Sequence, residues 1–355
     1  MRILVLGGTK FVGRHIVEAA AGHDHDLTLL HRGSGGQDPF PEFEHLHLDR
    51  DGDLSDLSGR RFDAVVDVNA YLPRQVHALA DALEGRSGRY LYISTVSVYD
   101  LPAAEPFDED ATLLAPPDNP TVSGTADAWV YGSQAADAVA LGASPSDRVT
   151  YENYGPLKVL CERAAAERFG GRLTIIRPTF VIGPYDYTYR FTYWVQRIAQ
   201  GGEVLIPGPA DAWLQVIDAR DQGAFAVRLL EDDTDGTFHT VWPDIDHASF
   251  GQVMAEIADA VAPPGTVLTV VDAAFLRAHG VDGAMLPLWD AEGLESGPPA
   301  KPYRAVAAGL RPRPVGQSAR ELLDAERARP TPQPDGMLHP KCEAELLTAW
   351  HAEQS

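Results

Sequence analysis

The sequence predicts an α/β protein built on a doubly wound parallel sheet, with a smaller C-terminal α/β lobe. Three observations carry that prediction. An apolar strand runs through a glycine turn into a helix at the N-terminus. Short apolar runs of strand length then recur with helix-like stretches among them, the pattern of parallel strands joined by crossover helices. A tyrosine and a lysine stand four residues apart at the start of one such helix, Tyr154-Gly155-Pro156-Leu157-Lys158.

Arg2 to Leu6 reads as a buried strand, Gly7-Gly8-Thr9-Lys10-Phe11-Val12-Gly13 as the turn, and Arg14 to Ala21 as the helix. Gly7 permits a tight turn, and missing Cβ atoms let backbone N–H groups approach a pyrophosphate at the helix N-terminus. The loop is therefore a candidate Rossmann-type dinucleotide site through Gly7, Thr9, Lys10, Phe11, Val12 and Gly13, although a glycine loop can also be purely structural. The second strand, Asp26 to Leu30, ends in His31-Arg32-Gly33 with no carboxylate to bond ribose hydroxyls. A cation there can hold a 2′-phosphate, so Arg32, helped by Lys10, favours NADP over NAD. The alternative is a solvated arginine in a polar loop.

Glu44 to Leu48 forms the third strand and Phe62 to Val68 the fourth. Their ends face the crevice of a doubly wound sheet, which makes Asp49 a candidate for the adenine side and Asn69 and Ala70 candidates for the middle of the cofactor. Pro73 to Leu83 is a helix. Arg89 to Ile93 is the fifth strand, and the hydroxyls of Ser94 and Thr95 at its end are placed to hold a substrate oxygen, though Ser and Thr are also ordinary loop residues. Residues Asp100 to Thr150 turn acidic and rich in Ala, Pro and Gly, an excursion that either covers the site or lacks order. The helix with Tyr154 and Lys158 follows, and Arg172 to Arg177 is the sixth strand. On a helix, positions i and i+4 share a face, and a cation beside a phenol favours the tyrosinate, the arrangement of an acid/base tyrosine.

Composition bounds the function. Net charge of −22 opposes nucleic-acid binding, and no uninterrupted apolar run reaches the ~20 residues that span a bilayer. Met1 to Gly7 leaves no room for a signal sequence, so a soluble, cytoplasmic protein acting on a small molecule is expected. Cys161 and Cys342 are too few for a disulfide framework, and His239, His247 and His279 show no metal-ligand spacing, so no metal is expected.

Taken in order, the glycine turn, Ser94-Thr95 with Val98-Tyr99, Tyr154-x-x-x-Lys158 and Arg177-Pro178 resemble the extended short-chain dehydrogenase/reductase family. The Gly-Gly-Thr-x-Phe-x-Gly loop is similar to its NAD-dependent epimerase/dehydratase branch, which also includes chloroplast stem-loop-binding proteins. The resemblance implies that Thr95 is the catalytic hydroxyl, Tyr154 the proton donor and acceptor, and Lys158 the residue that orients the nicotinamide ribose. It places Pro178 beside the nicotinamide and makes a homodimer an analogy to expect. Val96-Ser97 stands where 4,6-dehydratases carry Asp-Glu, which disfavours that elimination. Leu214 stands where sugar-nucleotide enzymes carry an arginine for the diphosphate, a role left to Arg190 or Arg197.

The expected domains are 1–177 plus 212–243 for the dinucleotide and 178–211 plus 244–355 for the substrate. An aromatic cluster from Tyr185 to Trp194, with Arg190, lines a substrate pocket or packs the domains together. The expected activity is hydride transfer at a carbinol or ketone carbon of a sugar-like or small polyhydroxylated substrate, by an epimerase or reductase. Alternatives are an NADPH-dependent ketoreductase of a non-sugar metabolite and a non-catalytic dinucleotide sensor or RNA-binding protein.

Overall fold

In the strand Arg2–Leu6, alternate side chains enter different cores: Ile3 and Val5 pack on one face of a sheet, Leu4 and Leu6 on the other. That two-sided burial marks a central parallel strand covered by helices on both faces. The computed structural model describes residues 1–33, 38–100, 105–115, 151–242, 246, 248–290 and 297–354, with the side chains of Tyr151 and Glu152 left aside.

Seven parallel strands form the main sheet: β1 (Arg2–Leu6), β2 (Asp26–His31), β3 (Glu44–His47), β4 (Phe62–Asp67), β5 (Ser87–Ile93), β6 (Leu173–Pro178) and β10 (Gly236–Thr240). Their order is β10-β6-β5-β4-β1-β2-β3. The chain reverses direction across the sheet between β1 and β4, and ligands of such sheets bind in the crevice at that switch. One face carries α1 (Phe11–Ala21) and α5 (Ala219–Glu231), the other α2 (Pro73–Leu83) and α3 (Tyr151–Phe169). Each fully buried Val, Leu or Ile of these layers contributes roughly 1.5–3 kcal/mol. Helices α1 and α5 lie in close contact, because a Cβ on Gly223 would sit 2.6 Å from the His15 carbonyl oxygen.

A separate core gathers α4 (Arg190–Gln200), β8 (Glu203–Pro207), α6 (Phe250–Val261), β11 (Val267–Val271), α7 (Ala273–Ala278), α9 (Val315–Ala328) and α10 (Pro340–Gln354). Strands β8 and β11 pair in parallel, as do β7 (Phe180–Ile182) and β9 (Val216–Asp218). Helix α8 (Tyr303–Ala307) packs against the main sheet beside β10.

Several details differ from the sequence reading. Helix α1 starts at Phe11 rather than Arg14, so Gly13 lies inside its first turn. The aromatic cluster divides: Phe191 and Trp194 are fully buried in α4 within the second core, while Tyr185 and Tyr187 face the cleft described below. Strands β7 and β9, three residues each, are too short to show a period, and α9 is hidden between two Pro-rich arms. Of the acidic excursion, 101–104 and 116–150 lie outside the described residues. Within the described stretch 105–115, Glu109 is buried, its Oε1 accepting from the His239 N–H at 3.0 Å.

Candidate active site

The glycine turn after β1 is shaped by two backbone requirements. Gly7 has φ +84°, and a Cβ on Gly13 would stand 2.1 Å from the Gly7 carbonyl oxygen. The start of α1 can therefore rest on the turn only with glycine at position 13, which is spacing rather than ligand contact. Across the switch point, Asn69 presents Cγ 3.1 Å from where a Gly7 Cβ would be.

A cleft of about 1410 Å3 opens here, larger than the roughly 300–1,000 Å3 that hold a drug-sized ligand. Of the residues predicted to bind cofactor, Gly7, Thr9, Lys10, Phe11, Val12, Arg32, Asp49, Asn69 and Pro178 line it. So do Ser94, Thr95, Tyr154, Lys158, Tyr185 and Arg190. Gly13 and Ala70 sit behind this lining. Ala70 is fully buried and acts through its carbonyl, which accepts from Tyr92 Oη at 2.7 Å and from Lys158 Nζ at 3.2 Å.

Helix α3 brings Tyr154 and Lys158 to the end of β5 because Gly155 lets it close on Ser97. Lys158 is 2% exposed; its Nζ also donates to the Ile93 carbonyl at 2.7 Å and lies over the rings of Tyr92 and Tyr71. Burial pushes this ammonium down to about 8, against the pull of Cys161, Asp67 and Glu162. Tyr71 lies against both partners of the motif, its ring 6.2 Å from that of Tyr154 and 5.2 Å from Lys158 Nζ. Thr95 caps the 3₁₀ turn Val96–Val98, its Oγ1 accepting from the Ser97 N–H and donating to Ser97 Oγ, both at 3.1 Å.

The Ser94 hydroxyl donates to Glu162 Oε1 at 2.5 Å, and Arg177 grips both oxygens of that carboxylate at 3.0 and 2.6 Å. Ser94 thus ties α3 to β5 and β6. Arg197 is drawn away from the cleft by Glu343 and the carbonyls of Gly201 and Glu203, so of the two arginines considered for a diphosphate only Arg190 faces the cleft. Arg329 also lines it, stacked over Tyr185 at 5.1 Å.

Arg50 was not foreseen. It turns inward from β3's end, donating to both oxygens of fully buried Asp67 at 2.8 and 2.7 Å and to Asn69 Oδ1 at 2.7 Å. Burial pushes the Asp67 carboxyl up, but Arg50 outweighs it and holds the group below the usual carboxylate range. The pair fixes Asn69 beside Gly7. His239, read as ordinary, is buried with Nε2 2.6 Å from Tyr99 Oη; burial drives its pKa down to about 3, so it is neutral. His247 lies outside the described residues.

The family model for "NAD dependent epimerase/dehydratase family" matches residues 3–140 and 128–241. The chain belongs to this family. Among relatives, the Arabidopsis thaliana chloroplast stem-loop binding protein of 41 kDa b is 24% identical over 245 residues, 64% of this chain and 55% of the relative's length. Two solved structures share the fold. UDP-glucuronic acid 4-epimerase from Bacillus cereus, in complex with NAD, has a TM-score of 0.62 at 15% identity over 94% of this chain and 99% of that one. Human epimerase family protein SDR39U1 (isoform 2), with NADPH, has a TM-score of 0.60 at 18% identity over 91% and 99%. Among the described residues, no helix is long and apolar enough to cross a membrane.

Proposed function

We propose that this protein is an NAD(P)-dependent epimerase or reductase acting at a carbinol or ketone carbon of a sugar-like or small polyhydroxylated substrate. The observation that carries the reading is the convergence of Thr95, Tyr154 and Lys158 on the cleft that also holds the glycine turn. Gly7 lines the cleft where α1 begins, and backbone N–H groups at that helix N-terminus can receive a closely approaching pyrophosphate. When bound, the dinucleotide supplies a hydride donor or acceptor. The chain supplies the rest: Thr95 Oγ1 fixes the substrate oxygen, Tyr154 gives or takes its proton, and Lys158 offers a ribose hydroxyl its remaining N–H. Arg32 at the end of β2 and Lys10 form a cationic rim for a 2′-phosphate, which supports NADP; neighbours of this fold include NAD and NADPH complexes alike.

A second reading, reduction of a non-sugar ketone, is favoured by one observation: buried Leu214 lines the cleft where sugar-nucleotide enzymes place an arginine. The net charge of −22 supports a small-molecule rather than a nucleic-acid partner. Denaturing purified protein and identifying any released nucleotide, then titrating the stripped chain with NADPH and NADH, tests the proposal. Tightly retained NAD supports the epimerase and contradicts the role given to Arg32; an empty protein preferring NADPH supports the reductase. Binding of neither nucleotide contradicts both.

A further inference from the structure

Strand β3 is the edge of the main sheet, and His45 and His47 point to the same side of it, two residues apart. In the parallel register His31, the last residue of β2, stands opposite His47, and Leu29 opposite His45. The connection between the strands returns Asp38 to the same place. One donor atom from each of His31, Asp38, His45 and His47 lies within 4.8 Å of all the others. His31 Nε2 is 2.8 Å from His45 Nδ1, His47 Nε2 is 2.8 Å from Asp38 Oδ2, and Asp38 oxygens are 3.8 Å from His31 Nε2 and 3.9 Å from His45 Nδ1. Donors around a tetrahedral ion with bonds of ~2.0–2.1 Å stand about 3.3–3.4 Å apart, within the span of these four separations.

We propose that His31, Asp38, His45 and His47 bind one divalent transition-metal ion of the zinc class. Three imidazoles and one carboxylate suit zinc and its neighbours in the transition series rather than calcium or magnesium, which prefer oxygen alone. His45 already has the outer partner that ligating histidines use: its Nε2–H donates to the Phe40 carbonyl at 3.1 Å, leaving Nδ1 for the ion. His31 accepts the Gly33 N–H at Nδ1, so without an ion its proton is on Nε2, directed at His45 Nδ1. An ion takes the place of that proton. The His31 proton then moves to Nδ1 and displaces the Gly33 N–H. His31, Arg32 and Gly33 line the cleft, so metal occupancy resets the rim at which the proposed function seats the 2′-phosphate. The metal site itself stands without that reading.

The test is calorimetric titration of ZnCl2 into the full, untagged chain after chelator treatment, with bound metal counted by atomic emission after desalting. One ion per chain is expected, with Kd of a micromolar or tighter, weakened at least tenfold by His45→Ala and by Asp38→Asn. Cobalt is expected to give the intense visible absorption of a tetrahedral site, absent in the same variants. Should His45→Ala fail to fold, His47→Ala takes its place, because that side chain is half exposed. No stoichiometric ion, or unchanged affinity in folded variants, overturns the site. In zinc-loaded protein NADPH affinity is expected to shift by threefold or more while NADH affinity moves less. Nucleotide binding that ignores zinc overturns the coupling, and absent nucleotide binding with intact zinc binding points instead to the failure of the proposed function.

Discussion

A Cβ on Gly155 would lie 2.1 Å from the carbonyl oxygen of Ser97 and 2.8 Å from Leu114 Cδ1. This contact sets how near α3, with Tyr154 one residue earlier, comes to the turn that carries Thr95. Gly155→Ala meets backbone rather than a flexible side chain, so the helix must move. Overpacking of this kind costs typically 1–3 kcal/mol. The substitution is expected to lower stability by that amount in urea unfolding and to reduce turnover at least tenfold. An alanine variant with wild-type turnover would show that the approach of α3 does not position Tyr154.

The ion pair of Arg50 and Asp67 predicts an asymmetric response. Arg50→Leu leaves the fully buried Asp67 without its countercharge, a situation that destabilises by roughly 3–5 kcal/mol. Arg50→Leu with Asp67→Leu is expected to recover most of that loss in chemical denaturation. NADH affinity is not expected to recover with it, since Asn69 has lost its Arg50 donor. Equal losses in the single and double variants would contradict the account.

Lys158 predicts a pH dependence of two kinds. Folding lowers its pKa from 10.5 to about 8, so between those values the folded protein binds fewer protons than the unfolded chain. The burial penalty is complete below pH 8 and fades as pH rises through that window. Relative to Lys158→Met, the wild type is therefore expected to gain stability between pH 8 and 10.5, by up to roughly 3 kcal/mol. The ammonium that the proposed mechanism offers to the ribose is lost over the same range. Affinity for NADH, followed by fluorescence, is expected to fall above pH 8 in the wild type and to stay flat in Lys158→Met.

The doubly wound parallel sheet and its strand–turn–helix junctions were legible because each junction leaves a local mark: glycines at 7 and 13, polar residues at the ends of β4 and β5, tyrosine and lysine one helical turn apart. What escaped depends on contacts between distant segments. Arg50 looks like one charge among the acidic neighbours Asp49, Asp51 and Asp53, and only the fold turns it inward to Asp67. Gly155 reads as a poor helix residue until Ser97 is beside it. Ser94 lines the cleft, and the bond its hydroxyl donates to Glu162, 68 positions later, has no mark in the sequence. His45-Leu46-His47 has a ligand spacing visible in the sequence, but its completion by His31 depends on strand register.

The central claim is that Tyr154 moves the proton while the bound dinucleotide exchanges the hydride. The measurement that tests it most directly compares wild type and Tyr154→Phe by nicotinamide absorbance across UDP-sugars and simple ketones, alongside NADH and NADPH titrations of both proteins. Loss of a general acid/base group typically costs 10²–10⁴ in rate. The account predicts a loss in that range for Tyr154→Phe, with nucleotide affinities within threefold of the wild type. Undiminished turnover in Tyr154→Phe would contradict it.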